Sequence, residues 1–222
     1  KKKLDILIDM KIIRKLPKKI SVFPLSNFII FPDTTVPLNI FEPRYIDMID
    51  DSMQDNKIIG LIQPKDQSTN APKLYSVGCA AKITSYNEVE DGRYLIALNG
   101  ISRFKILKEV MGNKPYRECE VSFEEFLSDQ APNISKFNKN DLDPIFENLK
   151  LLLKKRNYII NLDSLKKESI EKIINTLAMA SPFSLEEKQA LLETQNILER
   201  KLELEQILNT YIVDNFNNTT IQ

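Results

Sequence analysis

Histidine and tryptophan are both absent from this 222-residue chain, and glycine is scarce, with five residues at positions 60, 78, 92, 100 and 112. Without histidine there is no Ser-His or Cys-His nucleophile pair, and almost every catalytic zinc site is excluded. No two glycines have the spacing of a phosphate-binding loop or of a dinucleotide fingerprint, which argues against ATP hydrolysis and Rossmann-type redox chemistry. The two cysteines, Cys79 and Cys119, lie forty residues apart and read as reduced core residues of a cytoplasmic protein. No apolar run approaches the length of about 18 residues that spans a membrane, and no small-residue cleavage site follows the stretch 4–13. Neither charge is in excess: Lys plus Arg and Asp plus Glu are both 31. That balance is not what a dedicated nucleic-acid binder carries.

What is present divides into two periods. Residues 1–19 form a basic leader in which Leu4, Leu7, Ile8, Ile12 and Leu16 keep rough helical spacing, as a solvated terminal helix would. From Ile20 the chain reads as short strands: Ile20–Leu25, the buried run Lys57–Gln63, the small-residue strand Val77–Ile83, and a hairpin around Glu90-Asp91-Gly92. Asn27–Asp33 is a further apolar run closed by a Pro-Asp turn. Asn99-Gly100 reads as a second turn before the alternating stretch Ser102–Lys108, and Tyr116–Phe123 alternates too. Pro64 to Pro72 is a polar loop. This pattern predicts a largely antiparallel barrel or two packed sheets over residues 20–127.

Residues 128–140 read as a polar linker, after which the period becomes helical across 141–214, with a polar tail at 215–222. Asp143-Pro144 has the form of a helix start, and Ser184 with Glu187 that of a capping box. The box is expected to open one long helix towards Asp214, with Leu191, Leu198, Leu202, Leu208 and Ile212 along one side.

At the centre of the first half stands Pro37–Tyr45: an extended run, a turn held by Pro43, then a helix on which Tyr45, Met48, Ile49 and Met53 share a face. Glu42 and Arg44 meet at that corner, either bracing it or bordering a groove for a partner. Phe28, Phe31, Ile40, Phe41 and Tyr45 are candidates to line such a groove, and Arg44 and Arg103 to grip a carboxylate, whether of a partner or within the fold. The candidate partner-binding set is therefore Phe31, Ile40, Phe41, Glu42, Arg44, Tyr45 and Arg103. Glu88, Glu90, Asp91 and Arg93 read as a solvated hairpin tip. No catalytic, cofactor-binding or metal-ligating residue is expected.

The sequence resembles the Lon protease amino-terminal domain family. The resemblance runs through Phe23-Pro24-Leu25, Phe31-Pro32, Pro37–Tyr45, Gly60, Val77-Gly78-Cys79, Asp91–Tyr94, Asn99–Phe104, Pro115-Tyr116-Arg117, Ser181–Ser184 and Glu187–Glu193, about residues 20–212. It implies an α+β fold, a PUA-like β-barrel followed by a helical bundle with a long carboxy-terminal helix. It also implies a substrate-recognition module of a bacterial, stand-alone kind. The ATPase and protease modules find no match here: there is no Walker loop, and Ser135-Lys136 does not have the context of the protease's Ser-Lys dyad. The implied function is non-enzymatic binding of unfolded or exposed apolar protein segments, as an adaptor for proteolysis or quality control, with a full-length ATP-dependent protease as a further partner. The alternative is an RNA-binding protein of PUA-like architecture. No cofactor and no membrane contact is expected.

Overall fold

A computed structural model describes residues 16–66, 72–130, 137–155 and 162–217. The helical reading of positions 4–12, the middle of the polar loop, the middle of the linker and the end of the tail lie outside the described residues. The chain divides into two compact units, Lys1–Asn133 and Ile134–Gln222.

In the first unit six strands form one mixed sheet: β1 Lys19–Pro24, β2 Thr35–Ile40, β3 Ile58–Ile62, β4 Val77–Glu88, β5 Tyr94–Val110 and β6 Arg117–Ser122. The order is β2-β5-β4-β3-β1-β6, and β6 pairs again with β5, so five strands close on themselves as a barrel. β1 and β3 are parallel and the other pairings antiparallel. β2 hangs on the amino-terminal half of β5 as the free edge, and it carries Pro37, a residue a sheet tolerates only where no ladder donor is needed. Ile20, Val22, Ile62, Ala80, Phe104, Cys119 and Val121 fill the core. The Phe104 ring occupies a hollow left by two glycines on neighbouring strands: a Cβ on Gly60 would fall 2.9 Å from it, and one on Gly78 2.6 Å. Burying such side chains contributes about 1.5–3 kcal/mol each.

The hairpin turn falls where Asp91-Gly92 predicts it, with Gly92 at φ 79°. Asn99-Gly100 is not a turn. β5 runs unbroken through it for 17 residues, with Ala81 paired to Gly100 and Ala80 to Ser102, so that Ile101 is a bulge. The strand bends there, and one half pairs with β2 while the other pairs with β6. Nor does the stretch after it alternate. Ile101 to Phe104 are all buried, because a 3-10 turn over Glu124–Gln130 packs on the second face, and a further bulge turns Leu107 out to solvent.

The second unit is helical: α2 Asp143–Lys155, α3 Ile170–Ala180, α4 Leu185–Glu193 and α5 Ile197–Asn217, the label α1 being kept for Pro43–Gln54 of the first unit. The Asp143-Pro144 start is extended by a 3-10 turn, Lys139–Leu142, boxed by Asn138 and Asp141. The Ser184 box forms as expected: the Ser184 N–H donates to Glu187 Oε2 (2.7 Å) and the Glu187 N–H to Ser184 Oγ (3.2 Å). Ser184→Ala should therefore lower stability by about 1 kcal/mol in urea unfolding. The helix it opens stops at Glu193. Asn196 Oδ1 accepts the Glu199 N–H (3.0 Å) and Glu199 Oε2 the Gln195 N–H (3.0 Å), which starts α5 afresh. The restart rotates the buried face, so Leu204, Ile207 and Leu208 are buried while Leu198 and Leu202 are exposed. Among the described residues no helix is long and apolar enough to cross a membrane.

Candidate recognition cleft

Pro43 opens α1 at its first turn, where a missing N–H costs nothing, and holds Glu42 extended at φ −75°, ψ 129°. The Glu42 carboxylate does not cap the helix. It accepts from Arg44 Nε (3.0 Å) and Nη2 (2.8 Å), both side chains being about half exposed. An exposed pair of this kind adds little to stability, roughly 0–1 kcal/mol. It does fix where the guanidinium lies, 4.6 Å over the Tyr45 ring. That ring packs 4.3 Å from Phe23 of β1. Burial raises the Tyr45 phenol above its ordinary range, and the Arg44 charge partly offsets the shift.

The corner opens onto a cleft of about 710 Å³. Its walls bring together Arg44 and Tyr45, the strand-end prolines Pro24 and Pro64, and Tyr116-Arg117 at the start of β6. Tyr116 is anchored from behind: its hydroxyl donates to Asp51 of α1 and accepts from Lys114 Nζ (2.7 Å). That donated bond, with the Lys114 ammonium 2.9 Å away, holds the Asp51 carboxyl below its usual range. A second tyrosine, Tyr94, donates to Asp50 of the same helix (3.2 Å). Helix α1 is thus pinned to the sheet at two consecutive carboxylates. Arg117 grips Glu109 with two bonds of 2.7 and 2.6 Å and donates from Nη1 to the Pro72 carbonyl (2.7 Å). Its other side lines a neighbouring cleft of about 360 Å³ with Lys65, Lys73, Tyr75, Glu109 and Cys119. Burial pushes the Cys119 thiol up to about 11, so it is not a thiolate at neutral pH.

The residues singled out from the sequence separate on this geometry. Arg44 and the edge of Tyr45 face the cleft, Glu42 holds Arg44, and Phe41 stands 65 % exposed just before them. Phe31 and Ile40 are core side chains with no surface to offer, and Phe28 is half-buried. Arg103 is also enclosed, at 1 % exposure: it is paired with Asp129 at 2.8 Å and lies 4.3 Å over the Phe126 ring. The readings missed Pro24, Pro64, Tyr116 and Arg117 as cleft residues. The signal was a proline near a strand end in each case, Pro24 closing β1, Pro64 following β3 and Pro115 preceding β6, which marks rims but not which rims meet. Arg93 pairs with Asp91 (2.7 Å) at the exposed hairpin tip. Among the described residues no group of three His, Cys, Asp or Glu side chains could hold a metal ion. The arrangement is an open cleft walled by aromatic edges, prolines and guanidinium groups.

A family model described as the ATP-dependent protease La (LON) substrate-binding domain matches residues 19–210. Among curated proteins, the Lon protease of Flavobacterium johnsoniae is 28% identical over 203 residues, 88% of this chain and 24% of that protein. Lon protease 2 of Myxococcus xanthus is 24% identical, covering 87% of this chain and 24% of its own length. The chain spans about a quarter of the length of these relatives. Among solved structures, a Lon N-terminal domain protein from Xanthomonas campestris superposes with a TM-score of 0.61 at 21% identity, covering 87% of this chain and 98% of that one. The N-terminal domain of the Mycobacterium avium complex Lon protease gives 0.58 at 20% identity, covering 86% and 98%.

Proposed function

The chain belongs to the Lon substrate-binding domain family, and from that premise we propose that it is a cytoplasmic, non-enzymatic recognition module that holds exposed apolar segments of client proteins for proteolysis or quality control. The observation that carries this reading is the Phe41–Tyr45 connection, which presents an exposed phenylalanine and one wall of an open cleft within five residues. A large exposed aromatic is the kind of side chain on which binding energy concentrates. The rest of the wall is fixed by pairs made within the fold, Glu42 with Arg44 and Glu109 with Arg117, so little ordering is required when a chain arrives. The partner on the delivering side is an ATP-dependent protease, which receives what this module holds.

The test is fluorescence anisotropy of the full chain against a labelled, reduced and carbamidomethylated protein that cannot fold, with single-stranded RNA as competitor. Binding of the unfolded protein that RNA does not displace is the expected result. Binding to RNA that falls steeply with salt, with none to the unfolded protein, would overturn the reading in favour of phosphate contacts. Phe41→Ser should weaken the unfolded-protein complex about tenfold, as loss of an aromatic anchor does, while shifting stability by no more than about 0.5 kcal/mol.

A further inference from the structure

The lining of the two adjoining clefts holds more cations than carboxylates. Arg44, Lys65, Lys73 and Arg117 stand there against Asp66 and Glu109. Arg117 stands in the lining of both clefts. The two lysines are held as a pair by the backbone: the Lys65 N–H donates to the Lys73 carbonyl (2.7 Å), next to the bridge between Pro64 and Leu74. Lys65 Nζ lies 5.5 Å over the Tyr75 ring, which places an ammonium at the mouth of the smaller cleft. A lining richer in cations than in carboxylates draws segments of negative charge and repels those of positive charge.

We infer that the two adjoining clefts together take an extended acidic segment of a client polypeptide. Its carboxylates meet Lys65, Lys73 and Arg44, and its prolines or apolar side chains lie along the edges of Tyr45 and Tyr116. This rests on the reading of the chain as a client-binding module and adds the chemistry of the segment it prefers. Arg117 is a positioning residue here, because its guanidinium is spent on Glu109 and the Pro72 carbonyl and sets the distance between the two clefts.

The experiment measures anisotropy of the full chain with three labelled twelve-residue peptides of Pro, Leu and Ala, carrying four Glu, four Gln or four Lys at the same positions. Three exposed charge pairs should give the Glu peptide about a tenfold advantage over the Gln peptide at low salt, with the Lys peptide binding weakest. The margin should shrink at 0.3 M salt, roughly where screening reaches contact distances. The double variant Lys65→Glu with Lys73→Glu should abolish the margin while the urea midpoint stays at the value of the parent chain, which a loss of fold would not do. Equal binding of the Glu and Gln peptides would overturn the inference while leaving client recognition intact. Heparin competing as well per charge as the Glu peptide would also overturn it, by showing an unselective polyanion surface. If neither the peptides nor the unfolded protein bind, the inference and the proposed function both fall.

Discussion

Asp129→Ala is expected to cost about 3–5 kcal/mol of stability, the range found when one partner of a buried ion pair is removed. Asp129 lies outside regular strands and helices, in the 3-10 turn after β6, yet it is only 7 % exposed and accepts three bonds from one residue. Its Oδ2 takes the Arg103 backbone N–H and Nε, each at 2.9 Å, and its Oδ1 takes Nη2 at 2.8 Å. Among the described residues Arg103 is the largest side chain that is fully buried. Without the carboxylate, a guanidinium stays enclosed between β5 and the Phe126 ring, short of its counter-charge and unable to reach water. A loss of this size is a large fraction of the roughly 5–15 kcal/mol that holds a domain together. It should appear as a clear fall in the urea midpoint at unchanged slope. The double variant Arg103→Met with Asp129→Leu should recover most of the loss, because an apolar pair of similar volume carries no desolvation penalty. A fall of less than 1 kcal/mol for Asp129→Ala would mean that the pair is not closed in solution.

That pair also shows where the sequence stops being legible. Arg103 was readable as a residue that grips a carboxylate, but nothing in the sequence says that the carboxylate lies 26 residues on, in a stretch whose polarity reads as linker. Contacts of short range were legible because local chemistry decides them. Pro43 dictates an extended Glu42, Asp91-Gly92 dictates a turn, and Ser184 with Glu187 dictates a helix start. The break between α4 and α5 obeys the same rules, through Asn196 and Glu199, but lacks the glycine or proline that makes a break conspicuous. The leucine stripe drawn across it therefore put Leu198 and Leu202 on the wrong face. The corner at Glu42–Tyr45 was legible as a corner. The cleft it borders was not, because its other walls come from segments that meet only once the sheet has closed on itself.

Gly100→Ala is the second substitution with a large expected effect, and it tests the point at which local reading failed most plainly. Asn-Gly is a strong turn signal, and here it is overruled by packing. A Cβ on Gly100 would fall 2.0 Å from the Phe31 carbonyl oxygen and 2.7 Å from its carbon. The Phe31 oxygen cannot retreat easily. It accepts from Thr34 Oγ1 (2.6 Å) and the Thr34 N–H (3.2 Å), and the Phe31 ring is fully buried. The Gly100 N–H in turn donates to the Thr34 carbonyl (2.9 Å), and its own carbonyl accepts from the Asp33 N–H (3.1 Å). The methyl group must therefore push apart two stretches of backbone tied to each other on both sides. Overpacking a core by a few methylenes costs about 1–3 kcal/mol, and a clash with fixed backbone belongs at or above the top of that range. Gly92→Ala is the control. It meets nothing within 4 Å and suffers only from its positive φ, at about 1 kcal/mol. Urea unfolding should rank the two variants Gly100→Ala far below Gly92→Ala. If Gly100→Ala were the milder of the two, β5 would not run unbroken past Phe31, and Asn99-Gly100 would be the turn that its sequence suggests.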